Sequence, residues 1–201
     1  MLPKSVALVF AATFMAGSVS CAHAQVVSAA HQGQLPVGVG FGLSNYDLDY
    51  GPNRRMDGAT AWVNTDVPFT PRLLKGLELE VEGRDINMNR PASLKRMRQD
   101  TFLGGPTYTW RYSRTFHPYA KYFLGIGSID FPRIGQWYQH DTRTVEAPGV
   151  GLQCRSFGNF SFRADYEYQF WIKMFGRNDL NPNGFTFGTM YDFRTRNRSR
   201  Y

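Results

Sequence analysis

Residues 76–87 read GLELEVEGRDIN. Leu77, Leu79 and Val81 fall on one side of an extended chain, and Glu78, Glu80, Glu82 and Arg84 on the other. Successive side chains of a β-strand point to opposite faces, so this strict period of two argues for a strand with one apolar and one charged face. The pattern returns in NFSFRADYEYQFW (159–171). There Phe160, Phe162, Ala164, Tyr166, Tyr168 and Phe170 oppose Ser161, Arg163, Asp165, Glu167 and Gln169. A third case lies near the C-terminus, where Phe185, Phe187, Thr189, Tyr191 and Phe193 alternate with Thr186, Gly188, Met190 and Asp192.

Weaker alternation fills the intervals. Val37, Val39, Phe41 and Leu43 alternate with Gly38, Gly40, Gly42 and Ser44. Ala59, Ala61, Val63, Thr65 and Val67 alternate with Thr60, Trp62, Asn64 and Asp66. Phe102, Gly104, Tyr108 and Trp110 share a face, although Pro106 interrupts the backbone donors. Ala120, Tyr122, Leu124 and Ile126 oppose Lys121, Phe123 and Gly125. The stretch Thr142 to Cys154 contains Pro148 and is a strand chiefly because its neighbours require one. Eight strands of about ten residues result, the length that spans a bilayer at a tilt of about 45°. Their links alternate. TPRLLKG, YSRTFH and RSFGN are short, whereas DYGPNRRMD, MNRPASLKRMRQ, PRIGQWYQHD and IKMFGRNDLNPN are longer.

The chain has 201 residues with Lys4 followed by an apolar run, Val6 to Ala16, and then SVSCAHAQ. A charged start, an apolar run and a small-residue site at Ala22-His23-Ala24 read as a secretory signal peptide over residues 1–24. Lipoprotein processing at Cys21 is the weaker alternative, because Ser18 stands where a lipobox wants Leu. Cleavage would leave Cys154 as the single cysteine, so no internal disulfide staples the fold. No second apolar run reaches the roughly 18 residues of a spanning helix. Mean hydropathy is −0.39, yet 15% of residues are aromatic. The balance is basic, 23 Lys+Arg against 16 Asp+Glu, of which only Lys4 lies in the leader. In an exported chain such a balance suits anionic lipid or acidic polymers, and nucleic acid is excluded as a partner.

Alternation does not say which face is wet. A soluble lipocalin-like barrel would turn the apolar side chains inward to hold an apolar ligand, and a membrane barrel would turn them outward to lipid. Aromatic pairs near strand ends favour the membrane, as Trp110 with Tyr112, Phe170 with Trp171, and Tyr191 with Phe193 would sit at headgroup level. So does the alternation of short and long links, which is the expected asymmetry between periplasmic turns and outer loops. At this point the chain resembles a known group. Thr186, Gly188, Tyr191 and Phe193 resemble the C-terminal β-signal of bacterial outer-membrane barrels. Together with PYAKYFLGIG and FRADYEYQFW, they make the chain similar to the small OmpA-like outer-membrane β-barrel family. The resemblance implies recognition by the outer-membrane insertion machinery. Two departures stand out: the separate peptidoglycan-binding domain of the best-known members does not follow, and residues 194–201, RTRNRSRY, extend past the β-signal.

The expected architecture is therefore all-β, an eight-stranded antiparallel up-and-down transmembrane barrel over residues 25–193 with a basic periplasmic tail at 194–201. Glu78, Glu80, Glu82, Arg84, Lys121, Arg163, Asp165 and Glu167 would then point inward, as an ion-paired plug or, alternatively, the lining of a narrow channel. No cofactor, metal or catalytic site is expected. Three histidines and one cysteine remain after the leader, too scattered for metal ligation. His140 beside Asp141 is the pair to consider for acid–base chemistry, but adjacent residues in extended chain point apart and no serine accompanies them. Gly38, Gly40 and Gly42 open no helix, which a phosphate loop requires. Arg90, Lys95, Arg96 and Arg98, with Trp137 and Tyr138 in another loop, suit an outer surface of lipid and phosphorylated lipopolysaccharide. The four tail arginines could reach anionic lipid or peptidoglycan. The expected role is structural or in surface interaction, in the outer membrane of a Gram-negative cell, with a porin-like channel or a lipocalin-like binder as alternatives.

Overall fold

A computed structural model describes residues 37–49, 55–67, 71, 74–88, 97–110, 113, 115–134, 137–174 and 178–193. Residues 1–24 with the Cys21 site, Tyr112, the basic positions Arg90, Lys95 and Arg96, and the tail 194–201 lie outside the described residues, as do the side chains of Trp137 and Tyr138.

Ten strands follow in chain order: β1 (Val37–Asp47), β2 (Arg55–Asp66), β3 (Leu77–Met88), β4 (Arg98–Thr109), β5 (Phe116–Ile134), β6 (Trp137–Arg155), β7 (Phe160–Tyr168), β8 (Phe170–Met174), β9 (Asn178–Leu180) and β10 (Asn183–Asp192). Each neighbouring pair is antiparallel from β1 through β7; β10 lies between β7 and β1, and the β5–β6 ladder completes the circuit. The sheet is a closed barrel without a free edge along the wall, the arrangement that lets a strand cross lipid. Strands β7 and β8 share one wall position, interrupted at Gln169, and β9 and β10 share another, interrupted at Asn181-Pro182, so the wall has eight strands.

The two prolines mark interruptions in the ladders. On its β3 side β4 pairs through Leu79↔Pro106, but the β4–β5 register passes from Gly104↔Leu124 to Thr107↔Lys121. Pro106 has no N–H to donate, and the ladder is absent beside it. Likewise Pro148 pairs with Tyr122 of β5, while the β6–β7 ladder begins only at Gly149 and β8 resumes contact with β6 at Val145 and Glu146. The β6–β7 turn closes with Ser156 N donating to Phe160 O at 3.0 Å. It places Gly158 at φ 59°, where a Cβ would be strained.

Two expected loops are strand. PRIGQWYQHD is largely absorbed by β5 and β6, which reach 19 residues each rather than ten, and IKMFGRNDLNPN supplies most of β8 and β9. Cross-strand pairs such as Asp130↔His140 and Ile129↔Asp141 continue the hairpin well past the apolar band. Arg98, expected in a loop, opens β4.

The faces fall as an outward apolar band around an inward polar one. Phe41, Leu43, Phe102, Ile126, Val150, Phe162 and Phe187 are all more than half exposed, while Glu80, Glu82 and Glu167 are at most 2% exposed. A water-soluble fold does not leave so continuous an apolar surface uncovered. The lipocalin-like alternative requires the opposite assignment of faces and is overturned. Outward rings gather at the turn end, where Phe160–Tyr191, Tyr191–Phe193 and Tyr108–Trp110 pack with centroids 4.9, 4.8 and 5.1 Å apart. Trp171 corrects the expected aromatic belt. Its partner Phe170 faces out, but Trp171 is fully buried inside the barrel, as odd-numbered parity on β7 and β8 demands.

Candidate functional site: the barrel lumen

The lumen is where charge concentrates. Glu78, Glu80, Glu82 and Arg84 descend from β3, Lys121 comes from β5, and Arg163, Asp165 and Glu167 from β7. All eight are buried, none more than 5% exposed. They come from strands on opposite walls, so the contacts cross the bore.

Lys121 sits at the centre. Its Nζ contacts Glu82 at 3.0 Å, Asp165 at 2.9 Å and Glu167 at 2.7 Å. Arg84 bridges to Glu167 at 2.8 Å and pairs with Glu82 beside it. One layer nearer the turn end, Arg163 reaches Glu80 at 2.7 Å and Asp165 at 3.2 Å. Asn64 donates to Glu78 at 2.8 Å. Two tyrosines complete the network: Tyr46 donates to Glu167 at 3.1 Å and Tyr119 to Asp165 at 2.9 Å. The cations also lie over rings, Arg84 over Tyr46 at 4.2 Å and Arg163 over Tyr119 and Trp62 at 4.5 and 4.8 Å. Buried charge survives folding only when paired and hydrogen-bonded in this way.

Glu82, Asp165 and Glu167 offer carboxylate oxygens all within 4.8 Å of one another, a spacing that a metal ion could exploit. The Lys121 ammonium contacts all three carboxylates and, with Arg84 and Arg163 on their other sides, supplies the counter-charge there.

Toward the loop end the lumen changes character. Tyr46, Leu48, Met56, Ile86, Met97, Leu103, Phe123, Ile129, Val145, Ala147, Trp171 and Leu180 form one buried apolar cluster. Gln99 and Gln169 join the two regions: Gln99 donates to Gln169 at 2.9 Å, and Gln169 donates to Glu167 at 2.8 Å and accepts from Trp171 Nε1 at 2.9 Å. The bore is therefore closed twice, by ion pairs midway and by hydrocarbon above them. Toward the turn end it is looser. A polar cavity of about 20 Å³ lies among Glu78, Thr109, His117, Gln153, Arg155 and Asp192, room for about one water. Among the described residues, Trp62 Nε1, Glu80 Oε1, Thr107 Oγ1 and Arg163 Nη2 meet no protein partner, and buried groups of this kind are usually hydrated.

Several of these residues carried a signal in the sequence. The parity that puts Gly38, Gly40 and Gly42 inside also puts Tyr46 inside, and the parity of Lys121 extends back to Tyr119. Gly40 is small because a Cβ there would strike the Trp62 indole. On β10, Thr186 is buried, Gly188 abuts Trp62, and Tyr191 faces out beside Phe160, with Phe193 just past the strand packed on Tyr191.

Outside the lumen, His140 does not pair with its neighbour Asp141. Asp141 turns back to accept from Thr142 N at 2.9 Å and Arg143 Nε at 3.0 Å. The His140 ring instead meets Asp130 across the β5–β6 ladder, Nδ1 to Oδ1 at 2.5 Å, with Thr142 Oγ1 3.4 Å from Nε2. Arg98 is half exposed and bridges Asp85 at 2.9 Å and Asp100 at 3.0 Å.

Several solved structures share this build. Neisserial surface protein A (NspA) superposes with a TM-score of 0.61 at 12% identity, over 78% of this chain and 97% of that one. Ail, the attachment invasion locus protein of Yersinia pestis, gives 0.54 at 19% identity, over 79% and 97%. The N-terminal β-barrel domain of Pseudomonas aeruginosa OprF gives 0.53 at 16% identity, over 81% and 100%. At such identities the likeness is one of fold. No curated protein sequence matches the chain. The outer membrane protein beta-barrel domain matches residues 10–193, nearly the whole sequence, and the chain belongs to that family of outer-membrane barrels.

Proposed function

We propose that this protein is a non-catalytic, structural barrel of a Gram-negative outer membrane that presents its long connections to the surroundings. The observation that carries the reading is the doubly closed lumen, in which Lys121, Arg84 and Arg163 bind carboxylates across the bore beneath a hydrocarbon layer. A barrel held shut in this way is a rigid stave in the membrane rather than a conduit. Residues 1–24 act as the export signal, Thr186, Gly188, Tyr191 and Phe193 are read by the insertion machinery, and residues 194–201 remain on the periplasmic side near anionic lipid or peptidoglycan. Arg90, Lys95, Arg96 and Arg98, with Trp137 and Tyr138, meet lipopolysaccharide or a partner at the outer face. A structure of Ail with the heparin analogue sucrose octasulfate supports anionic recognition by a barrel of this fold.

The second reading, a narrow channel, is favoured by the buried polar atoms of the turn half of the lumen that meet no hydrogen-bond partner in the protein, Glu80 Oε1, Thr107 Oγ1 and Arg163 Nη2. Planar-bilayer recording decides between them. The structural reading expects no steady conductance from the folded protein at neutral pH; regular unitary steps would establish the channel.

A further inference from the structure

The outward wall is not uniformly filled. Where β6, β7 and β10 run side by side, two cross-strand rows face lipid: Leu152–Ala164–Phe187, and Cys154–Phe162–Thr189 one step nearer the turn end. Ala164 is the only small member of the first row. Above it on β7 stands Tyr166, and below it Phe162, so a methyl group lies between two rings along the strand and between Leu152 and Phe187 across it. The result is an open groove of about 340 Å³, lined mainly by Leu152, Cys154, Phe162, Ala164, Phe187 and Thr189.

We propose that this groove holds one acyl chain of a phospholipid from the periplasmic leaflet. The inference rests on the lipid-facing reading of the band, with which the groove is continuous. Its lining is almost wholly apolar, with one hydroxyl and one thiol, which suits hydrocarbon. Its depth in the wall selects the leaflet. The groove opens two residues from the Phe160–Tyr191–Phe193 aromatic cluster at the turn end, the side of the short connections and hence of the periplasm. A headgroup held level with those rings directs its chain along Thr189 and Cys154 to Ala164. A chain seated over Ala164 also meets Leu152, Phe162 and Phe187 around it, whereas lipid elsewhere on the band touches one convex surface.

The test uses the full chain in vesicles of phosphatidylethanolamine and phosphatidylglycerol, doped with a phospholipid bearing a diazirine midway along one acyl chain. Adducts are mapped by mass spectrometry after irradiation. They are expected to concentrate on Leu152, Cys154, Phe162 and Thr189. Ala164→Trp, which fills the groove, should lower that yield about threefold or more, and Val81→Trp on β3, across the barrel from β7, should not. Ala164→Leu is the second variant should the larger ring impair assembly. An adduct pattern spread evenly over Val39, Val81 and Ile126, and unchanged by Ala164→Trp, would overturn the proposal in favour of ordinary surrounding lipid. A Cys154–Cys154 crosslink formed on oxidation in place of the adducts would overturn it in favour of a second copy. A protein that fails to shift between unboiled and boiled lanes of an SDS gel would instead refute the membrane reading on which both rest.

Discussion

Replacing Lys121 with methionine probes the lumen at its most connected point. The ammonium contacts Glu82, Asp165 and Glu167 at 2.7–3.0 Å, and its side chain is fully buried. Methionine fills similar space but leaves three carboxylates facing one another with only Arg84 and Arg163 nearby. Removing one partner of a buried charge cluster typically costs about 3–5 kcal/mol, since the excess negative charge left behind is only partly compensated and lies out of reach of bulk water. At a slope of about 2 kcal/mol/M, the urea midpoint should fall by roughly 2 M. The assay is reversible urea unfolding in lipid vesicles, followed by tryptophan fluorescence; Trp62 and Trp171 both lie in the lumen and report its integrity. Adding Glu167→Gln, which removes one of the stranded charges, should recover part of the loss, and the double-mutant cycle gives the coupling directly. A loss below about 1 kcal/mol in Lys121→Met would refute the reasoning, because a charge so cheaply removed sits in bulk-like water and not in a closed bore.

Other consequences are simpler to read. Val81→Arg, on the lipid face of β3, should cost about 2–4 kcal/mol in a bilayer, measured by the same titration. Gly40→Val should displace the Trp62 indole, costing about 1–3 kcal/mol and shifting the fluorescence maximum of the folded protein. Tyr191→Ala combined with Phe193→Ala should reduce the amount of heat-modifiable barrel recovered from outer membranes, whereas deletion of residues 194–201 should leave it intact. His140→Ala removes the half-exposed pair with Asp130 and should change stability by no more than about 1 kcal/mol.

The strands and the faces of β3, β7 and β10 were legible because bulky apolar residues recur at every second place there, set against charged, polar or small ones. β6 was almost silent. Its lipid face includes Pro148 and its inner face Gly149 and Gly151, residues with little or no apolar signal, and its partnership is set by β5 rather than by its own pattern. Strand lengths past the apolar band were also hidden, since there β6 carries polar residues on both faces and the outer face of β5 turns polar at Ser128 and Asp130. The inward set of charges followed from parity, but their pairing did not. Which carboxylate Lys121 meets depends on the tilt and stagger that bring β3, β5 and β7 to one level across the bore, and a single sequence contains no measure of either. Trp171 shows the reverse case, where parity gave its inward position and its aromatic neighbour Phe170 suggested the opposite.

The central claim is that apolar residues face lipid while the charged row faces a closed interior. Nitroxide labels placed singly from Leu77 to Ile86 on β3 test it residue by residue in vesicles, by collision with oxygen, which partitions into lipid, and with a water-soluble nickel chelate. The account predicts high oxygen accessibility at positions 77, 79, 81 and 83 and low accessibility to both reagents at 78, 80, 82 and 84. Strong nickel quenching at the even positions would contradict it, since it would mean that water fills the bore where the ion pairs should close it.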